Sequence, residues 1–192
     1  MSMVNILVFA GSLRKESYNK KLARVAAKSA EAAGAKVTLV ELNDYSMPIF
    51  SEDIEASEGP NQKVTEFKEL MKNADAFFIC SSEYNSSISG VLKNTIDWAS
   101  RQADGEKPLE AFNGKVVALM SASPGNLGGL RGLVHLRSIL GNIKMLVLPD
   151  QLAISQAHEA FGPDGSLLDQ GKQKAVANIA NRLVEVAGKL KE

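Results

Sequence analysis

Cysteine and histidine are scarce in this sequence, and their scarcity argues against a disulfide bond within the chain and against a zinc site. The one cysteine, Cys80, has no partner within the chain for a disulfide bond. The two histidines, His135 and His158, stand apart from each other and from the cysteine, so they do not match the ligand spacing of a zinc site. We therefore predict neither an internal disulfide nor a resident metal.

The sequence also lacks an excess of either charge and any long apolar run. Its 22 Lys and Arg residues balance 22 Asp and Glu residues, whereas proteins that bind nucleic acid or anionic membranes usually carry a basic surface. The apolar run over residues 6–10 ends at Gly11 and has no basic flank. It is too short for a signal peptide or for a membrane span of about 20 residues. We predict a cytoplasmic protein that binds neither nucleic acid nor membrane.

The length of 192 residues and the 45% hydrophobic content suit one domain with a core of its own. Five short apolar runs are continuous rather than alternating, which is typical of strands buried on both faces. Each is followed by a segment with apolar residues every three or four positions, as in a helix packed on one side. This alternation predicts one three-layer α/β domain over residues 1–192 with a five-stranded parallel sheet. The predicted strands are residues 4–10, 36–42, 76–80, 116–120 and 145–148, and the predicted loops are residues 51–61, 104–114 and 149–165.

The loop after the first predicted strand carries a close series of polar side chains. Ser12, Arg14, Ser17 and Asn19 supply two hydroxyls, a guanidinium and an amide at the start of a predicted helix. A helix N-terminus also offers free backbone N–H groups, and Arg14 suits a bidentate contact, so we predict a phosphate site. The alternative is that Ser17 or Asn19 only caps the helix. The loop has neither the Gly-Lys-Ser/Thr motif of a P-loop ATPase or GTPase nor the glycine pattern of a dinucleotide site.

Two further loops follow the third and fourth predicted strands, where ligands of open parallel sheets bind. The first holds Glu83, Tyr84, Asn85 and Ser86, and offers an aromatic face beside amide and backbone donors. Such a surface suits a flat heterocycle. The sequence of this loop is equally compatible with an ordinary surface turn capped by Ser86 or Ser87. The second is rich in small residues, which lets a planar ligand approach the backbone but also suits a flexible connection. Its candidate binding residues are Ser121, Ala122, Ser123 and Gly125.

In these loops the chain resembles the NAD(P)H-dependent FMN reductases, which include flavin-dependent quinone, chromate and azo-dye reductases. The resemblance covers nearly the whole chain and implies a flavodoxin-like fold, with strand order 2-1-3-4-5 and non-covalent FMN. Two positions depart from the family pattern, because Ser82 and Ser89 stand where proline is usual. The matching motifs are Gly11-Ser12-x-Arg14-x-x-Ser17-x-Asn19, Glu83-Tyr84-Asn85, Leu92-Lys93-Asn94-x-x-Asp97-Trp98, and Gly128-Gly129-x-Arg131 with His135-x-Arg137.

The resemblance also implies a reaction and a role for each matching residue. A hydride would pass from NADPH or NADH to bound FMN, and the electrons would pass on to a quinone-like small acceptor. No catalytic side chain is expected, because the cofactor carries the chemistry. The alternative is a flavodoxin-type electron carrier without its own substrate, but such carriers resemble one another in being strongly acidic. The implied phosphate ligands are Ser12, Arg14, Ser17, Tyr18 (through its backbone) and Asn19; the implied ring-binding residues are Glu83, Tyr84, Asn85, Ser86, Ser121, Ala122, Ser123 and Gly125.

The helix predicted over residues 91–99 carries more apolar side chains than one contact with a sheet requires, among them Val91, Leu92, Ile96 and Trp98. Exposed apolar patches usually mark interfaces, and the family resemblance also implies dimers or dimers of dimers. We therefore predict at least a homodimer with two-fold symmetry; the dimer of dimers that the resemblance also implies would be a homotetramer. Its polar rim is predicted at Arg131, His135 and Arg137.

Overall fold

The computed structural model describes residues 3–191, in which a parallel sheet lies between two layers of helices. In chain order, the strands are β1 (Asn5–Gly11), β2 (Lys36–Val40), β3 (Ala76–Ser81), β4 (Glu83–Tyr84), β5 (Ser87–Ile88), β6 (Val116–Ala122) and β7 (Leu146–Ile154). The helices are α1 (Tyr18–Ala32), α2 (Glu52–Glu58), α3 (Gln62–Asn73), α4 (Gly90–Ser100), α5 (Leu130–Asn142) and α6 (Gln170–Leu190).

Five of the strands pair in parallel in the order β2-β1-β3-β6-β7. Counted along the chain without the small hairpin β4-β5, this is the predicted order 2-1-3-4-5, which is confirmed. The inner strands β3 and β6 are buried throughout, as their continuous apolar runs predicted, whereas the edge strand β2 is largely exposed. The strand order reverses between β1 and β3. The connections that follow these two strands therefore run in opposite directions across the sheet and leave a crevice at its carboxyl end, where such folds bind ligands.

Each face of the sheet has its own hydrophobic core. Successive residues of β1 point to opposite faces, so Ile6 and Val8 pack under α1 and α6 while Leu7 and Phe9 pack under α3, α4 and α5. This arrangement explains why the strands read as apolar runs rather than as alternating patterns. Among residues 3–191, no helix is both long and apolar enough to cross a bilayer.

Two of the predicted loops contain regular structure. Residues 149–165 were predicted as a loop, but β7 continues to Ile154 despite Pro149 and two polar residues. An edge strand tolerates proline, and the pairing register shifts between Val117 and Leu119 to absorb the irregularity. Residues 51–61 were also predicted as a loop, but they include α2, whose first turn is capped by the Ser51 hydroxyl.

The apolar side chains of α4 are covered within the single chain. Leu92, Ile96 and Trp98 are all buried. The Trp98 ring meets Phe50 edge-on, with 5.0 Å between ring centroids, and its Nε1 donates to the Pro48 carbonyl oxygen at 2.7 Å. The prediction of a subunit interface on this helix assumed that these side chains are exposed, and that assumption is wrong. The periodicity of the helix could not reveal that the segment with Pro48 and Phe50 covers Trp98.

Lys115 ties the start of β6 to the end of α3. Its Nζ donates to the carbonyl oxygens of Met71, Lys72 and Ala74, each at 2.6 Å. The last carbonyls of a helix have no partner within the helix, and a cation there also meets the negative end of the helix dipole. One side chain therefore ends α3 and fixes it to the sheet.

We expect Lys115→Met to lower the free energy of unfolding by about 1–3 kcal/mol, since it keeps the apolar stem but leaves three carbonyls without their donor. Chemical denaturation near neutral pH measures the change. Lys174→Met, at an exposed position of α6, is the matched control and should have little effect. Equal effects of the two substitutions would contradict this role for Lys115.

Candidate functional site

The loops after β1, β3 and β6 meet at one end of the sheet and enclose a cleft of about 330 Å³. Small-molecule sites typically start at about this size. The cleft lies at the reversal of strand order, as expected for a ligand site in an open α/β sheet. Its lining consists of Ser12, Arg14, Ser17, Tyr18, Asn19, Ser82, Glu83, Tyr84, Ala122, Ser123 and Pro124.

Nine of the thirteen predicted site residues line this cleft, and four do not. Asn85 and Ser86 form the turn of the β4-β5 hairpin, with φ of 49° and 66°. Ser121 is buried beside Gly129, and its hydroxyl is the one fully buried side-chain polar atom in residues 3–191 that lacks a hydrogen-bond partner. Gly125 belongs to the loop after β6 but is not part of the lining.

Two lining residues, Ser82 and Pro124, were not among the predicted ligands. Ser82 was noted only as a departure from the family pattern. Pro124 has no donor to attract attention, although its place between the predicted Ser123 and Gly125 was a usable signal.

The first loop keeps two buried hydroxyls available to a ligand. Ser12 and Ser17 are both buried from bulk solvent, yet both line the cleft. Ser17 is the N-cap residue of α1, but its side chain makes no capping hydrogen bond. The Ser12 Oγ accepts from the Arg14 backbone N–H at 3.3 Å and remains able to donate its own proton. The structure thus does not support the alternative that Ser17 serves only as a cap.

Positive charge gathers on the same side of the cleft. The Arg14 guanidinium carbon lies 5.1 Å from the centroid of the Tyr18 ring, and Lys21 Nζ lies 5.8 Å from it. Arg14, the free hydroxyls and the N-terminus of α1 line this part of the cleft and form a donor set that fits a phosphate monoester, and Lys21 adds positive charge nearby. The residues present therefore suit the phosphate end of FMN.

Asn19 joins all three loops through one side chain. Its Nδ2 donates to the Ala122 carbonyl oxygen at 2.9 Å and to Ser82 Oγ at 3.2 Å, and its Oδ1 accepts from the Ala122 N–H at 2.9 Å. Both donors of the amide are thereby used. The resemblance implied a phosphate ligand here, and that role stays a prediction. The hydrogen bonds of the side chain hold the ends of β3 and β6 against the start of α1.

The two serines that replace family prolines are both buried and both hydrogen-bonded. Ser82 accepts from Asn19, as described above. Ser89 caps α4 by accepting from the Leu92 N–H at 3.2 Å, and its hydroxyl donates to the Gly11 carbonyl oxygen at 2.7 Å. Hydrogen bonds therefore restrain the loop where a proline ring would otherwise restrict it.

Within residues 3–191, no cysteine or histidine lines the cleft. Cys80 is buried in β3, and burial raises the pKa of its thiol, which therefore stays protonated and unreactive. His135 Nδ1 lies 2.9 Å from Ser87 Oγ, and His158 Nε2 lies 3.3 Å from Glu159 Oε1. The cleft accordingly offers a binding surface rather than a nucleophile with its base.

Comparison with known proteins identifies the family. A family model described as NADPH-dependent FMN reductase matches residues 4–159. A quinone reductase from Pseudomonas putida is 42% identical over 173 residues, which cover 88% of this chain and 88% of that relative. The chain belongs to the NADPH-dependent FMN reductase family. It is an NAD(P)H-dependent oxidoreductase with FMN as its flavin, and the resemblance drawn from the sequence is confirmed.

Solved structures agree with this assignment. The reductase is similar to a flavoenzyme NAD(P)H:acceptor oxidoreductase from Paracoccus denitrificans, with 30% identity, a TM-score of 0.82, and coverage of 97% of this chain and 98% of that one. A flavodoxin from the domain Archaea is 13% identical with a TM-score of 0.59, covering 99% and 100% of the two chains, and shows the shared fold. The predicted flavodoxin-like fold is confirmed.

We expect Asn19→Ala to lower the free energy of unfolding by about 2–4 kcal/mol, because it leaves the buried Ala122 N–H and carbonyl unpaired. The variant should also bind FMN about tenfold more weakly, since the loops are no longer held in place before binding. Denaturant titration and FMN titration measure the two effects. Asn178→Ala, at an exposed position of α6, is the control, and a variant indistinguishable from it would refute the tie between the loops.

Proposed function

We propose that the reductase binds FMN in this cleft, with the phosphate in the loop after β1 and the ring between the β4-β5 hairpin and the loop after β6. The observation that carries this proposal is the pair of buried hydroxyls, Ser12 and Ser17, left free beside Arg14 and the N-terminus of α1. The proposed position of the flavin ring is supported by Tyr84, which lies on the hairpin and is 56% exposed, so its aromatic face is available to the ring. Further proposed contacts come from Asn85 and Ser86 on the hairpin and from Ala122, Ser123 and Gly125 after β6.

The proposed mechanism assigns binding and orientation to the protein. FMN, when bound, supplies hydride acceptance from NADPH or NADH and electron delivery to a second substrate. The titratable side chains of the lining are Arg14, Tyr18, Glu83 and Tyr84. Glu83 is already engaged by α5, with its carboxylate accepting from the Gly132 N–H at 2.8 Å. We therefore assign no general acid or base among these residues, and protons come from solvent.

We propose a quinone-like small molecule as the electron acceptor and the cytoplasm, where NADPH and NADH are available, as the place of action. The Pseudomonas putida relative is named a quinone reductase. The balance of 22 acidic and 22 basic residues differs from the strong acidity of flavodoxin-type carriers, which steers them to basic partners. Both observations favour a reductase with a diffusible substrate over a carrier.

Anaerobic turnover distinguishes these two functions. The FMN-loaded reductase mixed with benzoquinone should oxidise NADPH or NADH faster than free FMN at the same concentration, as followed by nicotinamide absorbance. Oxidation no faster than the free-FMN blank would contradict the proposed function and leave the carrier as the better explanation. Running both nicotinamides in parallel also reveals which donor is preferred.

We expect Arg14→Ala to weaken FMN binding about ten- to hundredfold, because a charge-assisted contact to phosphate contributes about 1.5–3 kcal/mol. Riboflavin, which lacks the phosphate, provides the matched control. Its affinity for the variant should equal its affinity for the parent protein, both measured by quenching of flavin fluorescence. Equal losses for FMN and riboflavin would place the phosphate elsewhere.

We also propose that the reductase is at least a homodimer, with the interface on α5 rather than on α4. Leu127, Leu130 and Val134 are 49%, 40% and 59% exposed at and before the start of α5. Leu130 and Val134 are four residues apart on one face of α5, and α5 contacts the hairpin that carries the exposed Tyr84. An apolar patch of this kind commonly marks an interface, and two-fold pairs are the commonest soluble assemblies.

Light scattering after size exclusion tests the assembly. We expect a mass of at least twice the 20.6 kDa of one chain, and we expect Val134→Asp to shift the protein toward the monomer, because an interface charge would lose its water. A single species at the mass of one chain for the parent protein would contradict the proposal.

A further inference from the structure

Helix α5 begins without a capping side chain of its own. Its N-cap residue is Gly129, with a φ of 91°. A Cβ atom at this position would collide with Ser121 Oγ, so no larger residue fits. The first N–H groups of a helix have no acceptor within the helix and need one from elsewhere.

Glu83 supplies that acceptor from a distant part of the chain. Its carboxylate accepts from the backbone N–H of Gly132, the third residue of α5, at 2.8 Å. The same carboxylate lies 3.3 Å from the Arg131 guanidinium. The Glu83 side chain is only 11% exposed, so solvent screens these interactions weakly. A helix N-terminus and an arginine both place positive charge beside this carboxylate, so the two contacts are electrostatically favourable.

The same residue begins the hairpin that borders the cleft. Glu83 pairs with Ile88 and Tyr84 pairs with Ser87, and both residues of the turn between them have positive φ, as in a tight two-residue hairpin. Since β4 and β5 have two residues each, so short a hairpin needs outside support. The Glu83 carboxylate on α5 provides it.

Close packing confirms that the hairpin rests directly on the helix. A Cβ atom at Gly132 would lie 3.2 Å from the Ser87 carbonyl oxygen and 3.3 Å from Glu83 Cβ, so only glycine allows this approach without adjustment. A second tie joins the two elements, because Ser87 Oγ lies 2.9 Å from His135 Nδ1 on α5. The position of Tyr84 at the cleft therefore depends on where α5 begins.

We propose that Glu83 is a positioning residue for the flavin. By capping α5 across the cleft wall it fixes the hairpin that carries Tyr84, and it offsets the positive charge that Arg131 and the N-terminus of α5 bring beside the cleft. The inference rests on the proposed FMN site and deepens it. It also gives opposite electrostatic effects on the flavin to Glu83 and Arg131, which contact each other.

Charge variants test the electrostatic part through the reduction potential of bound FMN. Glu83→Gln keeps an oxygen that can accept from Gly132 but removes the negative charge, so reduced FMN should gain affinity relative to oxidised FMN by about two- to fivefold. Arg131→Gln should change this ratio in the opposite direction. Glu31→Gln, an exposed position of α1, is the control and should leave the ratio unchanged.

Amide hydrogen exchange tests the positioning part in the flavin-free protein. Glu83→Ala removes the cap, so the amides of residues 83–88 and 130–132 should exchange at least about tenfold faster. The amides of β1 should keep their protection, which shows that the variant is folded. Glu31→Ala is the control. Should Glu83→Ala not fold, Glu83→Gln provides the same measurement with a weakened cap and an expected smaller rise in the same segments.

Shifts of the potential in the same direction for Glu83→Gln and Arg131→Gln, or no shift, would overturn the electrostatic role. Unchanged exchange in the hairpin and at the start of α5 would overturn the positioning role. A protein that binds no flavin would instead contradict the proposed function, and the exchange experiment would still show whether Glu83 holds the hairpin.

Discussion

The side-chain amide of Asn19 is the interaction on which the cleft depends. Its three hydrogen bonds join the start of α1 to the ends of β3 and β6, segments that are 63 and 103 residues away along the chain. Each bond is buried, so leaving its partner unpaired would cost far more than a surface hydrogen bond contributes. The three loops therefore keep one relative arrangement before any ligand arrives, and this lowers the ordering cost of binding.

The polar residues around the cleft divide into two groups. Asn19, Ser82, Glu83 and Ser89 use their side chains on other parts of the protein, and they fix the loops, the hairpin and two helix starts. Ser12, Ser17 and Arg14 keep donors free for a ligand. Under the proposed function, the free donors would hold the terminal phosphate of FMN, and the exposed Tyr84 side would stay open for a flavin that must meet two substrates in turn.

Sequence reasoning reached the class of fold and nine of the cleft residues, because buried parallel strands and donor-rich loops leave clear local patterns. The strand order came from the family resemblance, since no local pattern encodes it. The cover over Trp98 and the extension of β7 past Pro149 depend on contacts between distant segments, and periodicity does not encode these. The same limit hid the structural roles of Asn19 and Glu83, whose residue types suit a ligand equally well.

The identity and amount of flavin released from the reductase test the central claim most directly. The protein, loaded with FMN and FAD together and then freed of unbound flavin, is denatured, and the released flavin is separated and quantified. A cradle built for a terminal monophosphate predicts a yellow protein that releases close to one FMN per chain and little FAD. A colourless protein, or one that releases FAD as readily as FMN, would contradict the account.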